Sequence, residues 1–475
     1  MPRLSKSNLT QGALKALGIF GGVQVVNILC SIVRTKLIAV WIGAVGVGLF
    51  GIYNSAIELL NIIFNLGIRD SAVRDIAASP KSSTNDIIII VRRWALALGA
   101  IGLVATIALS PLLSHFTFND DKHIYAFIAI GIIIFMSIYQ NGELAILQGT
   151  QQLKRLARAS MWGVIAGVVI SIPMFYFWRV DSVIPALIVF SLASTIAIFT
   201  QRASIPKPHP RISFDETLSK GKSFISLGIF LTASLIMNNL VSYLFMTYLN
   251  TVGDTSIAGH YQAGITIVNK YMGIIFTAII MEYYPRLSQA ITSAKRTSIF
   301  VSHEMVIMLW IILPVIALFI ASSQLIIQIL YSSEFMVILP FIVWAVIGTI
   351  FRAISWCMAY VILARGDGKI FLLTETTSAI TCITLNIIAY THWGIDGLGV
   401  AYMVWYIIYA LIVGIIYRYR YHLHLGKGVA KLATFSFVVA MTCILGYFYI
   451  GWYIPAAIGV LLLPYAVKKI LRKNS

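Results

Sequence analysis

Long apolar runs, broken by short polar segments, dominate the chain. Fourteen are long enough to cross a bilayer: about 14–38, 45–66, 87–110, 124–147, 158–178, 183–200, 223–249, 258–281, 302–322, 336–363, 370–390, 396–417, 429–448 and 450–467. A helix rises 1.5 Å per residue, so about 20 apolar residues span a hydrocarbon core of about 30 Å. The runs are continuous rather than alternating in ten-residue segments, which excludes a barrel in practice. The pattern predicts an all-α polytopic membrane protein with about fourteen transmembrane helices.

One run breaks the rule. Residues 259–288, GHYQAGITIVNKYMGIIFTAIIMEYYPRLS, read as a spanning helix but carry Lys270 near the middle. A lysine facing lipid at mid-depth costs about 2.5–3.5 kcal/mol on insertion scales, so this one should face protein or a watery cavity. Gln262, Thr266, Asn269, Lys270, Gly273 and Thr277 recur at helical spacing and share its face. Snorkelling of the lysine to an interface is the alternative, disfavoured by apolar residues on both flanks.

Similar stripes occur elsewhere: Gln24, Asn27, Ser31 and Arg34 in the first run, Asn54, Glu58, Asn61 and Asn65 in the second, Ser234, Asn238 and Ser242 in the seventh. LGIF at 17–20 recurs at 227–230, and Tyr53 and Asn61 match Tyr261 and Asn269 in offset. A parallel repeat about an axis along the membrane normal is expected, with two pseudo-symmetric six-helix lobes around a central hydrophilic cavity. The lobes are 1–200 and 223–420, joined by a cytoplasmic linker at 201–222, with an extra helix pair and basic tail at 421–475. Small polar residues packing helices together are the alternative reading of each stripe taken alone. The linker carries Pro206, Pro208 and Pro210, whose spacing resists helix and suits a semi-rigid connector.

Composition agrees: 59% of residues are hydrophobic, only 11% are charged and mean hydropathy is +0.89. The formal charge of +18 invites a nucleic-acid reading, but the position of the charges argues against one. With both termini in the cytoplasm, 29 of the 35 lysines and arginines fall in inner segments, as the positive-inside rule requires. The outer loops are short and mostly acidic (Asp120, Asp121, Asp181, Asp254, Glu334, Asp396). The N-terminus is basic and then apolar, as in a signal peptide, but without a convincing cleavage site, so an uncleaved first helix is expected.

Familiar motifs fail on context. GVGLFG at 46–51 fits a dinucleotide-binding pattern but has no preceding strand, and is expected instead to make a tight turn between the first two spans. His422 and His424 lack further ligands, and Cys30, Cys357, Cys382 and Cys443 sit singly in apolar runs, so no metal site is expected. The absence of a nucleotide-binding motif speaks against direct use of ATP, and no cofactor is expected.

The ionisable residues inside spans carry the functional signal. Lys270 and Arg34 lie on the faces assigned to the cavity, with Lys36 close to Arg34 and Arg352 in the tenth run. Glu143 and Arg352 sit at comparable places in the two halves, and a buried ion pair fixing the lobes competes with a functional role. Glu58, Glu143 and Glu375 are candidates for proton coupling through environment-dependent protonation.

GAVGVGLFGIYN, YYPRLS, YSSEF, ILARGDGKIFLLTETTS and GIDGLGVAYMVWYIIY make most of residues 17–417 resemble the bacterial polysaccharide-transporter family. These are flippases of the O-antigen (Wzx-type) and enterobacterial common antigen kind, in a superfamily shared with multidrug-and-toxin extruders and the lipid II flippase. The resemblance implies a bacterial inner-membrane transporter, not an enzyme. It would move an undecaprenyl-pyrophosphate-linked oligosaccharide from the inner to the outer leaflet by alternating access. It also implies roles: Lys270, Arg34, Lys36 and Arg352 on the pyrophosphate, and Asn54, Asn61, Gln262, Asn269, Asn27 and Asn238 along the sugar path. The bilayer, the lipid-linked glycan, and a glycan polymerase with its chain-length machinery are the partners it suggests. The chain departs from the usual twelve spans by two after Lys431. A cation extruder of the same superfamily should present acidic cavity residues, and a membrane glycan polymerase should carry a sizeable outer loop. Neither is seen.

Overall fold

The computed structural model describes residues 6–80, 84–202, 212–213, 215–219 and 229–474. Among them every regular element is helical. The longer helices are α1 (Lys6–Trp41), α2 (Gly43–Asn65), α3 (Ile68–Ala78), α4 (Thr84–Phe118), α5 (Ile124–Gly149), α6 (Leu153–Trp178), α7 (Val183–Thr200) and α8 (Ile229–Val252). They continue with α9 (Thr255–Thr266), α10 (Met272–Ala290), α11 (Ala294–Leu330), α12 (Leu339–Ala364), α13 (Gly368–Ile415), α14 (Lys427–Tyr449) and α15 (Tyr453–Asn474).

Nine stretches among the described residues are long and apolar enough to cross a membrane, which makes this a multi-pass membrane protein. Two of them each contain two expected spans. Leu153–Thr200 is broken by a single 3₁₀ turn at Arg179–Ser182, and Gly368–Arg420 by Gly394 at φ 61°, ψ −146°. That backbone conformation is open to glycine and strained for any residue with a Cβ. α8, the α9–α10 segment and α15 overlie three further expected spans without being among the nine.

One local expectation is corrected. The bend between the first two spans is at Gly43, φ 79°, and GVGLFG lies inside α2, where Gly46 leaves room for Ile42 and Ile38 of the preceding turn. The polar stretch after α2 is helical. Leu66 and Gly67 turn left-handed, and the short helix α3 follows, its Ile68, Ala72 and Ile76 buried at i, i+4, i+8 spacing.

The chain packs as two compact units, Met1–Ala258 and Gly259–Ser475. α8, which overlies the seventh expected span, packs in the first unit. Tyr243 on α8 shares a 2.5 Å hydrogen bond with Thr117 of α4, and Asn250 donates to the Thr117 carbonyl at 2.9 Å. The core of the first unit centres on Val91, Phe127, Ile130, Ile134, Ile138 and Ile146. In the second unit α11 and α12 bury Ile316, Ile320, Ile342 and Val346 completely. Most of the 201–222 linker lies outside the described residues, but its Thr217 is tied to α4. Arg93 donates to Thr217 Oγ1 at 2.8 Å, and Trp94 Nε1 to its carbonyl at 2.9 Å.

Candidate functional site

Between α9 and α10 the helix widens into a π-helical turn at Ile267–Tyr271. Such turns insert a residue into the α-helical ladder and recur at functional sites. This one presents Asn269 and Lys270 as exposed residues between buried Val268 and Met272. The side chain of Thr277, expected on the same stripe, lies outside the described residues. Gln262 sits two turns before Asn269 and donates to Thr266 Oγ1 at 3.3 Å.

Asn269 meets Arg352 of α12. The amide oxygen accepts Nη1–H of Arg352 at 2.9 Å and the hydroxyl of Tyr402 at 3.1 Å, while the same hydroxyl accepts from Arg352 Nη1 at 3.1 Å. The guanidinium carbon lies 4.9 Å from the ring centre of Phe276 and 5.7 Å from that of Tyr406. Ring faces stabilise a cation without neutralising it. Among the described residues no carboxylate pairs with Arg352, so the site is built from a fixed cation, neutral acceptors and aromatic rings.

The first unit holds a second arginine in a related setting. Arg34 of α1 lies between Phe50 of α2 and Phe190 of α7, 4.7 and 4.9 Å from their ring centres. Its Nε is buried without a hydrogen-bond partner among the described residues, as are the amide oxygens of Asn27, Asn61 and Asn65. Lys36 follows Arg34 on the same continuous helix, and residues two apart point to different sides, so the two cations do not converge.

The tyrosine–asparagine pair recognised in the sequence does equivalent work in each unit. Tyr53 packs edge-on to Phe127 of α5, and Asn61 donates to Ser137 of the same helix at 2.5 Å. Tyr261 stacks on Phe341 of α12 at 5.9 Å, and Asn269 bonds Arg352 of that helix. The asparagine of the first unit thus donates to a serine, and that of the second accepts from an arginine.

The remaining candidates are dispersed. Asn54 donates to Glu58 at 3.0 Å within α2, and Asn238 to the Ser234 carbonyl at 3.1 Å within α8. Glu375 accepts a hydrogen bond from Tyr409. Glu143 is 1% exposed and pairs with Arg92 at 2.6 Å and Arg202 at 3.1 Å, with Tyr139 donating to it at 3.2 Å. The ion-pair reading of Glu143 and Arg352 meets different partners: Glu143 pairs with Arg92 and Arg202, and Arg352 bonds Asn269 and Tyr402. The rings around the arginines were not anticipated. Tyr402, Tyr406 and Tyr409 recur at helical spacing in the sequence, a signal that would have found the two tyrosines at Arg352.

A family model described as polysaccharide biosynthesis protein matches residues 37–340. Comparison of the sequence with curated proteins finds no match. The fold is similar to that of the lipid II flippase MurJ in its inward closed conformation, with TM-score 0.70 and 14% identity over 95% of this chain and 98% of that one. It is also similar to an inward-facing multidrug resistance MATE family transporter of the MOP superfamily, with TM-score 0.68 and 13% identity over 86% and 96% of the two chains. A MOP superfamily transporter from Pyrococcus furiosus, described as having a binding pocket of reverse polarity, matches with TM-score 0.54 and 13% identity over 86% and 96%.

Proposed function

The chain belongs to the polysaccharide biosynthesis protein family, and from that membership we propose that it is a flippase for a lipid-linked oligosaccharide, a transporter rather than an enzyme. Its substrate in this reading is an undecaprenyl-pyrophosphate-linked glycan of the O-antigen or a related surface-polysaccharide class. The glycan is carried from the inner to the outer leaflet of the bacterial plasma membrane by alternating access, with both chain termini cytoplasmic.

The observation that carries this reading is the environment of Arg352. Both of its hydrogen bonds use Nη1 and end on neutral oxygens, so the charge is oriented but not cancelled. A pyrophosphate oxygen is a strong acceptor for Nε–H and Nη2–H, and charge-assisted bonds of this kind are about twice as strong as neutral ones. Lys270, adjacent to Asn269 on the π turn, supplies a second cation in this unit, and Arg34 is the candidate cation of the first unit. Asn27, Asn54, Asn61, Gln262, Asn269 and Asn238 are the residues assigned to the sugar path in this reading. Glu58 and Glu375 are the candidates for coupling to a proton in this reading, and the membrane potential adds about 2.3 kcal/mol per charge per 100 mV.

The test is depletion of the protein from its host, followed by extraction of lipid-linked oligosaccharides and assignment of their leaflet. Accumulation on the inner leaflet, relieved by the intact chain but not by Lys270→Ala at equal membrane level, is expected. Unpolymerised units on the outer leaflet would point to a polymerase. An unchanged glycan-lipid pool with altered drug efflux would favour an extruder.

A further inference from the structure

Arg352 is the first of three residues spaced by four on α12. Trp356 and Tyr360 follow, on the face that Arg352 presents to α10. Phe276 links the first two: its ring lies under the Arg352 guanidinium at 4.9 Å and edge-on to Trp356 at 6.0 Å. Trp356 and Tyr360 are 4.5 Å apart, centre to centre. Behind them the fully buried Tyr283 stacks on Trp356 at 5.6 Å and is fixed by its hydrogen bond to the Cys357 carbonyl at 2.7 Å. Tyr284, 37% exposed, meets Tyr360 edge-on at 5.8 Å.

Packing alone does not account for this row. Trp356 and Tyr360 are only partly buried. Among the described residues neither Trp356 Nε1–H, the Tyr360 hydroxyl nor the Tyr284 hydroxyl has a hydrogen-bond partner. Aromatic residues with an apolar body and an accessible polar tip suit a surface that is apolar on one side and wet on the other. These tips lie beside a cation that is itself held between rings. Four residues of helix rise about 6 Å, so the row runs about 12 Å from Arg352 to Tyr360. That spacing suits successive rings of a short glycan chain.

We infer that Trp356 and Tyr360 form a stacking platform for the pyranose rings nearest the pyrophosphate. The apolar C–H face of a sugar packs on the electron-rich ring face, and the sugar hydroxyls take up the free Trp and Tyr donors. The inference rests on the flippase reading above, because it takes the anion at Arg352 as the fixed end of the glycan.

The test uses the full chain in lipid nanodiscs and two kinds of probe. One is geranyl pyrophosphate; the other is geranyl pyrophosphate bearing a single glucose or N-acetylglucosamine. In the unaltered protein at least one sugar-bearing probe should bind about tenfold more tightly than the bare one. Trp356→Leu with Tyr360→Leu should remove that increment while shifting the bare probe less than about twofold. Trp356→Phe, which keeps a ring, should retain most of it. The platform is overturned if neither sugar tightens binding, if the increment survives the double substitution, or if both probes weaken equally, which would make the rings structural support only. Arg352→Gln tests the underlying reading separately. It should weaken both probes, and if it weakens neither, the pyrophosphate assignment fails while the sugar increment still judges the platform.

Discussion

Arg352 donates from Nη1 to the amide oxygen of Asn269 at 2.9 Å, which joins α12 to the π-helical turn. The acceptor is neutral, so it aims the guanidinium without consuming its charge. A carboxylate in the same place would form a charge-assisted pair with Arg352 and compete with any anionic substrate. Asn269→Asp should therefore abolish binding of a pyrophosphate probe and leave thermal stability unchanged or raised, whereas Asn269→Gln should retain part of the binding. Isothermal titration and a melting curve on the same preparation check this. Unaltered probe affinity in Asn269→Asp would show that the Arg352 charge is not used for binding.

The sequence made the span pattern and the cationic stripe legible because both depend on one-dimensional spacing. Lys270 and Asn269 stand out in an apolar run, and a helix must place them on one face. Partners contributed by other helices were not legible in the same way. Nothing in the run around Arg34 names Phe50 and Phe190, and Glu143 was set beside Arg352 only through a repeat offset. Its real partners, Arg92 and Arg202, lie 51 and 59 residues away in sequence. The π turn left no compositional trace. The break at Gly394 was legible only as a loop, because periodicity does not distinguish a loop from a kink that the helices continue through.

Close helix approach beside the site depends on Gly348, four residues before Arg352. A Cβ there would lie 2.8 Å from Tyr402 Cδ1 and 3.0 Å from the Met403 Cα, and that backbone cannot swing aside as a flexible side chain can. Gly348→Ala must push α12 away from the second half of α13 and carry Tyr402 off Arg352. Overpacking of this kind costs about 1–3 kcal/mol. A lowered melting temperature together with weaker pyrophosphate binding is expected, and wild-type values for both would show that the helices adjust without disturbing the site.

Glu143 is a structural anchor in this fold. Arg92 grips it through both oxygens, at 2.6 and 3.0 Å, and Arg202 brings in the end of the α7 connection. Removing one member of such a buried cluster leaves uncompensated charge and costs about 3–5 kcal/mol. Glu143→Gln should lower the melting temperature and the amount of protein in the membrane. Transport per folded molecule should keep the wild-type dependence on pH. If that dependence vanished instead, Glu143 would return as the coupling group.

Asp367 fastens the α12–α13 connection to the far end of α13. It accepts hydrogen bonds from Arg420 at 3.0 and 3.1 Å and from the Tyr421 hydroxyl at 3.0 Å, while Arg365 lies over the Tyr421 ring at 4.6 Å. Burial works to raise the Asp367 carboxyl, but the hydrogen bonds from Arg420 and Tyr421 outweigh it and hold the group below its ordinary range. The Tyr421 hydroxyl is pushed up to about 12, first by burial and then by its bond to the same carboxylate. A carboxyl depressed in the folded state contributes stability that is fully present above the unfolded value of about 3.9 and is lost as pH falls through the folded value. Asp367→Asn keeps the shape and removes the charge, so its melting temperature should lie below wild type at neutral pH. The gap should hold as pH falls to about 5 and close only below about 4. A gap that persists unchanged at about pH 3 would show that shape, not charge, makes this fastening.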